Sequence, residues 1–276
     1  MTVLDILLLF CGGLAAGAFG ALFGLGGGVL MVPLLVVALH VPIHNAIATS
    51  LITVIATSST ATARNIRDGV TNLRLGVTLE SATVIGAIAG GAMAGFLPPR
   101  VLMVLFAATV MILAVMMFRT VEPPAFVAEP ADRGFLSRLH ASYYDPKVGE
   151  EVRYGVTRFP VAMGVSAFAG TLSGLLGIGG GIVKVPTLSI YCGVPIKAAA
   201  ATSNFMIGIT AMASVVAYFG RGEVLPAVTA ASVLGVIAGS GAGFWLAART
   251  HAEVLRRWFA VAMVLIGTQM IWKVLH

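Results

Sequence analysis

Apolar residues run almost without interruption through ten stretches of the chain, over 3–24, 28–40, 45–64, 75–97 and 101–118, then over 159–177, 181–192, 197–219, 225–248 and 252–275. Their length and spacing suit helices that cross a bilayer, not the roughly ten-residue alternating strands of an outer-membrane barrel. The pattern predicts an all-α integral membrane protein with eight spans, or ten helical segments when the short ones are counted. The stretches 28–40 and 181–192 are the short ones. Each is about 18 Å of helix against a hydrocarbon core of about 30 Å, so neither spans as an ordinary straight helix.

The two groups of five stretches read as copies of one design. Gly24, Gly26, Gly27, Gly28, Val32 and Pro33 recur as Gly177, Gly179, Gly180, Gly181, Val185 and Pro186, at a constant offset of 153. Val41, Pro42 and Ile43 return as Val194, Pro195 and Ile196, and Ala48, Thr49 and Ser50 as Ala201, Thr202 and Ser203. VIGAIAGG (84–91) answers VLGVIAGS (233–240) at a slightly shifted offset. The organisation expected is a first transmembrane repeat over 1–118, a polar connector over 119–158 and a second repeat over 159–276. The connector carries Glu122, Pro123, Pro124, Asp132, Arg133, Arg138, Asp145, Pro146, Glu150, Glu151 and Arg153. It is too short for a core of its own, and its Tyr143, Tyr144 and Tyr154 are expected at the membrane interface.

Two topologies are open. If each short stretch continues the helix before it, the halves are parallel. If each makes a separate crossing or pairs with a broken partner, the halves are inverted. Positive charge favours the cytoplasmic side in short loops. With the connector set aside, the inverted arrangement puts Arg64, Arg67, Arg74, Lys197, Arg249, Arg256 and Arg257 on one side and Arg100, Arg221 and Lys273 on the other. The parallel arrangement splits the same residues evenly and gives no orientation signal. Inverted repeats are therefore expected, with the connector cytoplasmic and both termini outside.

Composition sharpens the class. The chain is 58% hydrophobic and 10% charged with a mean hydropathy of +0.99, where soluble domains carry about 25% charged residues. The net charge of +6 lies between apolar runs rather than in a stripe with interleaved aromatics, so nucleic acid is not the partner. Cys11 and Cys192 stand in apolar surroundings and read as inert thiols, with no cofactor or metal framework. The first stretch holds Asp5 and no Lys or Arg ahead of its apolar core, which suits a first membrane helix better than a cleaved signal peptide. The partners expected are the lipid bilayer and a small ligand; a homo-oligomer stays open.

The candidate chemistry gathers at the glycines. Three in succession, followed five residues later by proline, break a helix. Unwound backbone at membrane depth is tolerated only where protein or a water-filled cavity borders it, and paired breaks of this kind form substrate sites in secondary transporters. Close helix crossing is the plainer use of the same glycines. Lys184, with Met31 as its counterpart, is a charge at membrane depth that points to a cavity and an anion, or to a lysine snorkelling from a helix end. Thr49, Ser50, Thr202, Ser203 and Asn204 fall about two turns into the next stretch, after Pro42 and Pro195. Glu80 is the other ionisable residue well inside a span and is the candidate for proton coupling. No paired acid and base, nucleophile or metal-ligand spacing points to an enzyme. An anion channel would use the same lining, and a metal-cation carrier has only Met31 and Met206 at depth.

The doubled GLGGG/GIGGG pattern with its prolines, the VPI and ATS segments and the polar connector resemble the TauE/SafE family, the sulfite and organosulfonate exporters also called the toluene-sulfonate uptake permease family. The resemblance covers nearly the whole chain. It implies a bacterial or archaeal inner-membrane carrier of sulfur-containing anions such as sulfite, driven by an ion gradient. It points to Gly24, Gly26, Gly27, Gly28, Pro33, Gly177, Gly179, Gly180, Gly181, Pro186, Thr202, Ser203 and Asn204 as substrate-binding positions. Leu51 stands where the second half has Asn204, so contact there is asymmetric.

Overall fold

The computed structural model describes residues 3–24, 26–119, 135–145, 149–247 and 252–275. Among the described residues ten α-helices carry the fold: α1 (Val3–Phe23), α2 (Gly28–Pro33), α3 (Ile43–Arg67), α4 (Leu73–Ala94), α5 (Pro99–Arg119), α6 (Phe159–Leu176), α7 (Gly181–Pro186), α8 (Ile196–Gly220), α9 (Pro226–Ala247) and α10 (Ala252–Leu275). Seven of them are long and apolar enough to cross a membrane, and α10 contributes the shorter apolar stretch Ala260–Lys273.

The short stretches neither continue the preceding helix nor cross by themselves; they turn back along it. After α1 the chain reverses through Gly24, Gly26 and Gly27, whose φ angles of 68°, 77° and 71° lie in the left-handed region that side chains resist. Then α2 and a π-helical turn, Leu34–Ala38, run back along α1. A Cβ on Gly27 would lie 2.7 Å from the Ala16 carbonyl oxygen, and one on Gly12 would strike Leu34. Gly177, Gly179 and Gly180 reverse α6 in the same way, at 70°, 76° and 71°. Here α7 and the π-helical turn Thr187–Tyr191 return past Ala169, 2.7 Å from a Cβ on Gly180. Pro33 and Pro186 end the α-helical part of each returning arm, where a missing N–H and the ring's bulk disfavour further α-helix.

Contacts between the halves fix their relative direction. Phe10, Leu14 and Ala18 of α1 meet Gly235, Gly239 and Gly243 of α9, both rising along the chain, so these helices are parallel. In α4 and α6, Gly86 and Gly90 meet Ala167 and Thr171, again in parallel. Ser58 of α3 lies against Gly208 of α8 and donates to the Asn204 carbonyl, whereas Gly28, beside Ser50 and Val54, is level with the Gly177 tip. The direction of α1, α3 and α5 is thus opposed by that of α6, α8 and α10. These contacts carry a partner 153 residues on, because Leu14 and Gly239 correspond to Ala167 and Gly86. They also correct one sequence match: VIGAIAGG aligns with 237–244, not 233–240, since α4 and α9 begin and end 153 residues apart.

The described ends of α1 and α10 lie at one end of the bundle and the described part of the connector at the other. Its described part is a 3-10 turn (Phe135–Leu139) and an antiparallel pair, β1 (Ala141–Asp145) and β2 (Glu150–Tyr154), with Ala141 opposite Tyr154. Glu122, Pro123, Pro124, Asp132, Arg133, Pro146 and Arg249 lie outside the described residues, as do the side chains of Arg256 and Arg257. The connector is less peripheral than its polarity suggests. Tyr154 and Tyr143 are buried, joining Leu139 and Val156 in one apolar cluster with Leu75, Leu79, Leu188 and Cys192. Tyr144 alone of the three is exposed. Asn72 Nδ2 donates to the Leu139 carbonyl (2.9 Å), Thr157 N to the Cys192 carbonyl (3.0 Å), and Lys197 Nζ lies 3.5 Å from Asp145. Burial pushes the Tyr154 phenol up to about 12 from its ordinary 10.0.

Candidate functional site

The two glycine tips meet near the middle of α3 and α8. A Cβ on Gly28 would lie 2.2 Å from the Gly177 carbonyl oxygen, and one on Gly181 would lie 2.2 Å from the Gly24 carbonyl oxygen. Gly24 itself packs on Ala200, and Gly177 on Ile47. Only glycine permits this backbone-to-backbone approach, because carbonyl oxygens cannot yield as a side chain does. In this arrangement the tips fill the space between them with each other's backbone.

Of the paired hydroxyls of α3 and α8, Ser50 and Ser203 lie at this crossing while Thr49 and Thr202 face α9 and α4, and the two serines are used unequally. Ser50 Oγ donates to the Gly177 carbonyl (2.8 Å). Its counterpart Ser203 is fully buried beside Gly181, and its hydroxyl has no hydrogen-bond partner. Thr49 and Thr229 share a hydroxyl contact of 3.2 Å, and Thr202 Oγ1 accepts from Asn72 N (3.0 Å) at the α3–α4 turn. Asn204 is buried on the face of α8 that meets α3. Ser173 of α6, fully buried one turn before Gly177, is a second hydroxyl without a partner.

Lys184 and Glu80, 104 residues apart in the sequence, form a pair. Lys184 is 1% exposed and Glu80 4%. The Lys184 Nζ lies 3.6 Å from Glu80 Oε2 and donates to Thr210 Oγ1 (3.1 Å), whose hydroxyl in turn donates to Glu80 Oε1 (2.6 Å). Lys184 therefore neither opens into a cavity nor snorkels, because a carboxylate and a hydroxyl hold its ammonium inside the bundle. Thr210 was not singled out from sequence. Its signal was present, for it stands seven residues after Ser203 on the same face of α8. The positions related to Lys184, Thr210 and Glu80 by the 153-residue offset are Met31 and Thr57 in the first half and Val233 in the second. Met31 is fully buried in the apolar core, and Thr57 bonds only the Thr53 carbonyl (2.9 Å).

The remaining candidates fall away from this point. Pro33, with Gly12, Leu34, Ile266 and Gln269, lines an apolar cavity of about 230 Å³ between α1, the first returning arm and α10. Pro186 is half-buried on the second arm. His44 is in the first turn of α3, with Nε2 3.1 Å from the Ala94 carbonyl oxygen. Among the described residues no group of three His, Cys, Asp or Glu side chains is placed to hold a metal ion.

Comparison with known proteins agrees on class. The family model described as "Sulfite exporter TauE/SafE" matches residues 9–270. A relative from Bacillus subtilis (strain 168), named probable membrane transporter protein YunE, is 25% identical over 268 residues, 95% of each chain. A probable membrane transporter protein of Xylella fastidiosa (strain 9a5c) is 27% identical over 269 residues, 95% of this chain and 93% of its own. A second Bacillus subtilis relative, probable membrane transporter protein YdhB, is 25% identical over 87% of this chain. No solved structure matches.

Proposed function

Since the chain belongs to the TauE/SafE sulfite exporter family of membrane transporters, we propose that it is a secondary transporter that exports small sulfur-containing anions, such as sulfite or organosulfonates, by alternating access. The observation that carries this reading is the meeting of two glycine tips at mid-bundle, beside two unpartnered hydroxyls and a buried ammonium. An anion at that depth needs donors in place of water, since an unsatisfied charge in the hydrocarbon region is costly. Ser203, Ser173 and Lys184 supply them in the second half, while Gly24, Gly26, Gly27 and Gly28 and Gly177, Gly179, Gly180 and Gly181 shape the tips. Thr49, Ser50, Thr202 and Asn204 hold the flanking helices in register.

The transport cycle follows from the opposed halves. The first hairpin opens from the end that carries the termini and the second from the connector end, so separating the tips toward either end exposes the same midpoint. The arrangement described here, with tips in contact, is the closed one. The connector end carries Arg64, Arg67, Arg74, Arg138, Arg153, Arg158 and Lys197, against Arg100, Arg221 and Lys273 at the other. That bias supports an inner-membrane protein with a cytoplasmic connector.

The test is flux of radiolabelled sulfite and a panel of sulfonates into proteoliposomes, with chloride and phosphate as controls. Saturable uptake of a sulfur anion is expected. Absence of flux for every member, or equal flux of chloride, overturns the reading; steady unitary conductance replaces it with a channel.

A further inference from the structure

We propose that Glu80 and Lys184 are an exchange site in which one proton on Glu80 releases Lys184 to the transported anion, so that proton and anion move together. The proposal rests on the anion-transport reading above. Its starting point is geometric. The Lys184 ammonium, sealed between α4, α7 and α8, has one carboxylate as its counter-charge, and Glu80 Oε2 accepts no hydrogen bond while lying 3.6 Å from it. That oxygen is a proton acceptor already turned toward the cation.

The charges around the pair are few. Along α6 there is none, and α7 contributes only Lys184. On α8 the other cation is Lys197, at the connector end and 3.5 Å from Asp145, while the Tyr218 hydroxyl donates to the Gly174 carbonyl (2.8 Å). On α4 itself Arg74 reaches the Arg138 carbonyl at the connector. Glu80 and Lys184 therefore balance each other and nothing else.

Charge conservation then dictates the coupling. The empty site holds a carboxylate and an ammonium, net zero. The site with a protonated Glu80 and a monovalent anion on Lys184 is also net zero. A proton without the anion leaves one uncompensated positive charge, and an anion without the proton leaves one negative charge. Both are disfavoured at membrane depth. Only the two neutral states move readily through the closed arrangement, which makes transport an electroneutral proton–anion symport whose direction follows the combined gradients, outward when the anion accumulates inside. Thr210 bridges both partners and keeps the released ammonium in place, with Ser203 on the same helix face as a further donor to the anion.

The test uses proteoliposomes loaded with a pH-sensitive dye and given a sulfite gradient, with membrane potential set by potassium and valinomycin. Wild-type protein is expected to move protons with the anion at a rate insensitive to potential. Glu80→Gln, whose empty site carries one uncompensated positive charge, is expected to slow net anion flux, lose proton movement and become sensitive to potential. Because that change leaves a buried ammonium unpaired, the double variant Glu80→Val/Lys184→Met, which copies Val233 and Met31 at the related positions, serves as a folded control. It is expected to lose flux to the level of protein-free vesicles. Sulfite flux without proton movement in the wild type, unchanged coupling in Glu80→Gln, or retained flux in the double variant overturns the exchange site while leaving anion transport standing. No flux of any anion in the wild type overturns both.

Discussion

The first and second hairpins share one backbone and differ in one polar cluster. Each reverses through three left-handed glycines, each returns on a proline-ended arm, and each presses a glycine onto the other's carbonyl. Yet the position that is Met31 in one is Lys184 in the other, and Val233 answers Glu80. The backbone is therefore a packing solution used twice, whereas charge was placed once. That separates two roles: the glycines make the crossing, and Lys184 with Glu80 makes one side of it responsive to ions. The same asymmetry reaches the hydroxyls, since Ser50 is bonded and Ser203 is not.

The largest expected break in this comparison comes from charge. Lys184→Met leaves Glu80 buried without its cation and should destabilise the protein by about 3–5 kcal/mol, while Glu80→Val/Lys184→Met should recover most of that, as uncharged isosteres of buried pairs do. Thermal unfolding in detergent micelles reads both; equal stability of wild type and Lys184→Met would show that the pair carries no strain of burial.

Next in size is the crossing itself. Gly28→Ala and Gly181→Ala each drive a methyl to 2.2 Å from a carbonyl oxygen, and each should cost about 1–3 kcal/mol, the usual range for overpacking. The two should be alike. A large effect in one half and none in the other, in the same unfolding assay, would mean that the tips do not support each other equally.

Smaller and opposite in kind are the serines. Ser50→Ala removes a buried hydrogen bond to Gly177 and should cost about 1 kcal/mol. Ser203→Ala removes an unpartnered hydroxyl and should be neutral or slightly stabilising, while lowering anion flux. Reversal of the two stabilities would exchange their assigned roles.

The smallest effect belongs to the connector. Lys197 is 44% exposed where it meets Asp145, so Lys197→Ala should cost under about 1 kcal/mol and less still at high salt. Alkali acts on the connector from within its buried side. The Tyr154 phenol holds its proton more tightly when folded, at about 12 against 10.0, so the folded state binds more protons between these values. Its contribution is intact below pH 10 and is lost as pH rises toward 12. Phenolate absorbance, followed against unfolding of the connector by proteolysis, should show one tyrosine ionising only as the cap loosens.

Much of this architecture was legible because glycine and proline act locally. Three glycines and a proline at matched offsets announce a reversal without reference to anything distant, and the charge bias makes opposed directions the expectation. The shifted match of 84–91 with 233–240 went astray because alternating Gly and Ala look alike at several registers; contacts of Gly86 with Ala167 and Gly239 with Leu14 decide it. The Glu80–Lys184 pair was illegible for the opposite reason. The partners are far apart in sequence and meet only when α4 and α7 pack on α8, so the sequence alone names neither as the other's partner. Tyr154 and Tyr143 were assigned to the interface on residue type, whereas a two-stranded turn folds them onto Leu75 and Leu188.

The central claim is that the crossing of the two tips carries a sulfur anion from one side to the other. Counterflow tests it most directly: proteoliposomes preloaded with unlabelled sulfite are placed in a trace of labelled sulfite. A carrier predicts transient accumulation of label above equilibrium, absent in Glu80→Val/Lys184→Met. Label that never exceeds equilibrium, or that overshoots equally in that variant, contradicts the account.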